Sequence, residues 1–259
     1  MITSSAKKSV NVVSFPSSSS VSSYMRTVIL STDDHPDYVQ CLPYVRRAWN
    51  KLGWRTLTFY LGQAKPVADE QNRVIELEPI SGYRSATIVQ VSRLMGHRYV
   101  DGFIMTSDVD MMPLSDYWKP KPTELTCYGA DLTNYLEYPI CYIAAPKVCW
   151  ESLVPEISLQ ELLESDLRAR SEVFGEWWST DQRVITRRIE NYKATGRATT
   201  FIDRGLRRRW FKEPLPAGRI DRANWLRTKN SWGRKIDAHL PRPFDRRIVE
   251  GLLADYHGI

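Results

Sequence analysis

Four short apolar, β-branched runs alternate with amphipathic stretches between residues 26 and 107, and this alternation restricts the fold more than any other feature of the chain. TVILST, TLTFYLG, RVIELEPI and GFIMTS have the length and composition of buried strands. YVQCLPYVRRAWNKLG places Val39, Leu42, Val45 and Trp49 at helical spacing and predicts a helix ending near Gly53. Pro43 either falls in a first turn or kinks that helix. SATIVQVSRLMGH predicts a second helix. The order strand, helix, strand, strand, helix, strand calls for an α/β fold, a mixed but mostly parallel central sheet flanked by helices. Such sheets bind ligands beyond the carboxyl ends of their strands. Here those ends are STDDHPDY and SDVD, so one cleft can be lined by both.

The second half is less regular. LTCYGADL and PICYIAA predict strands, VCWESL a short helix, and SLQELLESDLRARSEVF an amphipathic one. TDQRVITRRIENY predicts a further helix capped by Ser179 or Thr180. Residues 197–243 read as loop, rich in Arg, Trp and Pro, and FDRRIVEGLLADYH as a closing helix. Residues 1–25, with SSAKKS and FPSSSSVSS, read as a flexible Ser-rich tail, and 26–259 as one domain.

Composition removes several function classes. Cys41, Cys127, Cys141 and Cys149 form no CxxC pair and read as buried thiols of a reducing compartment, not as a zinc site or a disulfide frame. No stretch reaches the roughly 18 apolar residues of a membrane span, so a cytoplasmic location is expected. Charge is uneven. Arg183 to Arg247 holds 19 Lys and Arg against 6 Asp and Glu, a net of +13, which leaves −7 for the rest of a chain of net charge +6. A nucleic acid, a phosphorylated small molecule or an anionic membrane surface suits such a segment. Without a helix-turn-helix, zinc finger or RNP motif, nucleic acid is not expected, whereas a peripheral membrane contact remains compatible.

The chemistry concentrates in GFIMTSDVDMMPL, where Asp108 and Asp110 stand between two apolar runs. An unpaired buried carboxylate is costly, and two close together are worse. In an extended segment both would face one site with Val109 turned to the core. If the segment bends, one ligates directly and the other acts through water or a ribose hydroxyl. Facing carboxylates favour a hard divalent cation, Mg²⁺ or Mn²⁺, which can neutralise a diphosphate leaving group. A lone DxD also occurs by chance, and two aspartates past a strand can simply cap a loop. Of the four histidines, His97 and His257 read as structural and His35 lies in the first loop. His239, in KIDAHLPRP, lies between a strand-like patch and prolines.

Four segments in order, STDDHPDY, TSDVDMMPL, WWSTDQRVI and DAHLPRP, resemble the glycosyltransferases of the GT-A fold, which use nucleotide-sugar donors. The resemblance spans about residues 26–243. It implies that Asp108 contacts the ribose or the metal, that Asp110 and His239 ligate Mn²⁺ or Mg²⁺, and that Thr32, Asp33 and Tyr38 lie near the base. It implies that Arg84 or Arg93 touches the donor. Asp181 would be either the carboxylate base of an inverting enzyme, kept ionised by a helix N-terminus, or a substrate-positioning residue of the retaining branch, with Gln182 near the reacting face. The combination of DxD, DQ and late histidine resembles the retaining branch more. One departure stands out: the lysine and glycine that follow the late histidine in that branch are replaced by LPRP. Arg242 would take the lysine's place, with different geometry.

The implied partners are a nucleotide-diphosphate sugar, carrying a hexosyl or pentosyl group, and a hydroxyl acceptor on a glycan, lipid or protein that an anionic charge would suit. Trp177 and Trp178 serve either as an acceptor platform or as packing. RGLRRRWF, residues 204–211, fits a lid over the diphosphate or a contact for an anionic acceptor or membrane. The competing readings are another divalent-metal enzyme acting on phosphates, such as a nucleotidyltransferase or phosphoesterase, and a basic nucleic-acid- or membrane-binding protein.

Overall fold

The computed structural model describes residues 25–133, 135–173, 175–203, 218–220, 222 and 235–259. The segment RGLRRRWF, all of the expected tail except Met25, and Trp210, Trp225 and Trp232 lie outside the described residues.

The four expected strands of the first half form as β1 (Arg26–Asp33), β2 (Arg55–Leu61), β3 (Asn72–Glu76) and β4 (Phe103–Thr106). With β6 (Leu125–Tyr128), β7 (Ile143–Pro146) and β8 (Thr199–Ile202) they make a seven-stranded sheet of order β3-β2-β1-β4-β7-β6-β8. The β3/β2, β2/β1, β1/β4 and β6/β8 pairs are parallel, and β4/β7 and β7/β6 antiparallel. The expected mixed, mostly parallel sheet is therefore present.

Strand β1 lies inside the sheet and is buried on both faces from Thr27 to Thr32, which explains its apolar centre, Val28 to Leu30. Val28 and Leu30 point to one core with Trp49, Met105, Val249 and Leu252. Ile29 points to the other with Leu57, Ile88, Ile104 and Ile185. The period of two in β1 thus feeds two helical layers. One is built from α2 (Leu42–Lys51) and α7 (Arg246–His257), the other from α3 (Ser85–Ser92) and α6 (Thr180–Ala194). Gly96, in the 3-10 turn Arg93–Arg98 that follows α3, lets that turn approach β1 closely. A Cβ there would lie 2.6 Å from Ile29 Cγ1.

Three expectations are corrected. The first helix is split into α1 (Pro36–Val39) and α2, because Pro43, in the first turn of α2, cannot continue a helix arriving from Tyr38. Gly53, at φ +80°, follows the end of α2 as expected. The single helix expected over SLQELLESDLRARSEVF breaks after α5 (Leu159–Glu164), which a Ser158–Glu161 capping box starts. The break is a tertiary effect. Asp166 is buried against Arg183 at 2.7 Å and caps the 3-10 turn Leu167–Arg170. Finally, residues 197–243 are not all loop: β8, β9 (Arg219–Ile220) and β10 (Asp237–His239) form there. The helix over 147–153, α4, forms near its expected place.

A second, three-stranded sheet of order β5-β10-β9 uses β5 (Met111–Pro113) directly after the DVD. Its antiparallel register sets His239 opposite Met111 and Ala238 opposite Met112, and the Leu240 amide donates to the Asp110 carbonyl at 2.8 Å. Residues nearly 130 apart in sequence are thereby locked side by side.

All four cysteines are free thiols; Cys41, Cys127 and Cys141 are buried and Cys149 half-buried. Among the described residues no helix is long and apolar enough to cross a membrane.

Candidate active site

The chain bends after β4. Met111 N donates to the Asp108 carbonyl at 3.1 Å, closing a turn around Val109 and Asp110. Val109 enters the core, as expected. The two carboxylates, however, turn to different partners, so the bent arrangement holds rather than the extended one.

Asp108 faces Arg93. This guanidinium, only 4% exposed, bonds Asp108 through Nη1 and Asp181 through Nη2, and Nη1 also donates to Ser107 O at 3.0 Å. Asp181 is equally buried, and its second oxygen accepts from Gln182 N at 2.8 Å. Asp108 stays about a third exposed, at 32%. One cation thus serves two carboxylates, which leaves this side of the site negative. Burial pushes the Asp181 carboxyl above its ordinary value; Arg93 works against that shift and Asp108 adds to it. Burial alone would lower the Arg93 value, but the two carboxylates overcome it and keep the guanidinium charged. Cys141 lies beside Asp108, and burial pushes its thiol up.

Asp110 is the mirror case. Its Oδ2 accepts from Arg222 and, at 2.9 Å, from Arg242 Nη2; His239 Nε2 lies 3.3 Å away. Arg222 Nη2 also contacts His239 Nε2. Two guanidiniums therefore share one carboxylate, which makes this side positive. Burial opposes ionisation of Asp110, yet His239, Arg222 and Arg242 together hold its carboxyl well below the usual range. The Nε atoms of both arginines are buried and make no hydrogen bond among the described residues.

Of the other expected site residues, Tyr38 and Gln182 adjoin these two clusters, and Thr32, Asp33 and Arg84 have other partners. Arg242 stacks over Tyr38, 4.0 Å from its ring centroid. Burial pushes the Tyr38 phenol up to about 12. Trp178, 42% exposed, stands 6.3 Å from Tyr38 and edge-on to Trp177 at 5.3 Å. Asp33 Oδ2 accepts from Ser85 Oγ at 2.7 Å and Oδ1 from His35 N at 3.1 Å, tying the end of β1 to the start of α3. Thr32 is buried and donates to the Asp33 carbonyl at 3.0 Å. Of the two candidate arginines, Arg93 joins the aspartates. Arg84 instead pairs with Glu172 at 2.7 Å and lies over Trp177 at 4.9 Å. Gln182 is half-buried beside Asp181.

Arg222 carried no signal in the sequence beyond being one of many arginines. Arg242 was legible from its place three residues after His239.

Among the described residues no group of three or more His, Cys, Asp and Glu side chains is arranged to hold a metal. Asp110 and His239 do present an oxygen and a nitrogen to one point, and a cationic nitrogen of Arg222 already touches both. This donor pair fits a divalent cation whose remaining ligands come from a bound molecule or water.

No protein-family model and no curated protein sequence matches the chain. Its structure is similar to the crystal structure of the glycosyltransferase GlyE of Streptococcus pneumoniae TIGR4, at a TM-score of 0.51 and 12% identity, over 91% of this chain. The chain shares a Rossmann-like α/β fold with that protein. The chain spans 60% of the length of that protein.

Proposed function

We propose that the protein is a GT-A-type glycosyltransferase that takes a nucleotide-diphosphate sugar and passes the sugar to an acceptor hydroxyl. One observation carries this reading. At the carboxyl ends of β1 and β4, where an α/β sheet binds its ligand, a negative cluster (Asp108 and Asp181 on Arg93) adjoins a positive one (Arg222 and Arg242 on Asp110, beside His239). A nucleotide sugar has the complementary pattern. Its ribose hydroxyls donate to carboxylates, and its diphosphate accepts from guanidiniums.

In this reading Asp108, the more exposed carboxylate, receives a ribose hydroxyl while Arg93 holds its orientation. Arg242 and Arg222 bind the diphosphate oxygens and stabilise the charge that develops there as the glycosidic bond breaks. A Mn²⁺ or Mg²⁺ ion bound by Asp110 and His239 would add to that neutralisation. Tyr38, Asp33 and Thr32 border the nucleoside end. Trp178 offers an apolar face to the acceptor.

Asp181 suits a positioning role better than that of a base. Both its oxygens are bonded and it is 2% exposed, so no acceptor hydroxyl reaches it without displacing Arg93. This favours the retaining branch, with Gln182 near the reacting face.

A thermal-shift series with nucleoside diphosphates and nucleotide sugars, each with and without Mn²⁺, tests the proposal. A ligand that binds the folded state raises the melting temperature by mass action. The expected result is a shift with one nucleotide that Mn²⁺ enlarges and Asp110→Ala removes. Absence of any shift in folded wild-type protein would refute the donor reading. A shift with released inorganic phosphate and no free nucleoside diphosphate would favour a phosphate-cleaving enzyme instead.

A further inference from the structure

Arg222 stands where a divalent cation would. Its Nη2 contacts both Asp110 Oδ2 and His239 Nε2, the two atoms that converge on one point. A guanidinium can only donate, so in this contact the imidazole presents the lone pair that a metal would use. The Arg222 side chain is 23% exposed, and its buried Nε makes no hydrogen bond among the described residues. Arg242 approaches the same carboxylate oxygen at 2.9 Å, so removing Arg222 does not leave Asp110 unpaired.

We propose that Arg222 is the resident cation of this site and that a divalent ion enters only by displacing it. The inference rests on the donor and metal reading above. Arg222 Nη2 already fills the point between Asp110 Oδ2 and His239 Nε2, so a divalent ion that takes both atoms as ligands has no room there until that nitrogen leaves. The metal therefore competes with a tethered arginine, and its affinity for the free protein is reduced. A diphosphate changes the balance, because it offers the displaced guanidinium a new set of acceptor oxygens. Metal and diphosphate then favour each other's binding, and the coupling is reciprocal. Arg222 thus makes the cation site responsive to the donor and leaves it screened when the donor is absent.

The test measures Mn²⁺ binding by the loss of the free-ion EPR signal, with and without inorganic pyrophosphate. The proteins are wild type, Arg222→Ala and Arg222→Gln, the last retaining bulk without charge. Melting curves verify that each is folded, and Asp110→Asn serves as the site-null control. The expected result is Mn²⁺ affinity at least about tenfold higher in both Arg222 variants, a difference of about 1.4 kcal/mol. Pyrophosphate should tighten Mn²⁺ binding by a larger factor in wild type than in the variants. Equal Mn²⁺ affinity in wild type and both variants, lost in Asp110→Asn, would overturn this inference and leave the metal reading standing. No Mn²⁺ bound at millimolar concentration by any of them, with or without pyrophosphate, would overturn both.

Discussion

Replacing Arg93 by Met probes the most tightly coupled part of the site. Arg93 is 4% exposed and is the counterion of Asp181, itself 2% exposed, as well as of Asp108. Met keeps much of the volume and removes the charge, so the main effect is electrostatic. Removing one partner of a buried ion pair leaves an uncompensated charge and costs about 3–5 kcal/mol. In a domain of this size each kcal/mol lowers the melting temperature by roughly 2–4 °C, so a loss of roughly 6–20 °C is expected.

The pH dependence carries a definite sign. Asp181 already titrates above its ordinary range because of burial, and losing Arg93 raises it further. A raised folded-state value means that the neutral acid is the form the fold favours. The deficit is therefore absent below the unfolded value of about 4 and grows as pH rises through the folded value. Adding Asp181→Asn removes the stranded charge and should restore most of the melting temperature. It should not restore nucleotide binding, because Asp108 still lacks the guanidinium that orients it. Melting curves of the single and double variants at several pH values provide the assay. A single variant within about 2 °C of wild type would refute the reasoning, as would a double variant no more stable than the single one.

Three further outcomes are expected. Gly96→Ala should destabilise by about 1–3 kcal/mol through overpacking, since the new Cβ would meet Ile29 at 2.6 Å in a buried strand, and urea denaturation reads it. Trp178→Ala should leave the melting temperature unchanged, because the ring is 42% exposed, while weakening acceptor binding; an unchanged acceptor KM would remove Trp178 from the acceptor site. The stability difference between wild type and Asp110→Asn should be constant above about pH 5 and vanish as pH falls, because a carboxyl held below the unfolded value of about 4 loses its contribution on acidification.

The strands and most helices could be read from local pattern. TVILST, TLTFYLG and GFIMTS carry no charged residue and are rich in apolar and β-branched ones because both faces of the central sheet are covered, and that burial writes itself into neighbouring residues. The ends of β1 and β4 were likewise marked, since charged residues after such runs can only stand at strand ends. Of the three misread regions, one was decided by a proline's position within the turn and two by contacts distant in sequence. Nothing within SLQELLESDLRARSEVF announces that Asp166 is claimed by Arg183.

The sequence by itself therefore determined the layered α/β architecture and the placing of Asp108 and Asp110 just past the end of β4, because periodicity and burial are local properties. Only the tertiary structure decided how the charges pair. That Asp108 shares Arg93 with Asp181, and that Asp110 gathers His239, Arg222 and Arg242, depends on the β5–β10 register and on α3 packing beside α6. Electrostatic partnership depends on distances of a few ångströms between groups up to 132 residues apart, and no local pattern encodes such a distance.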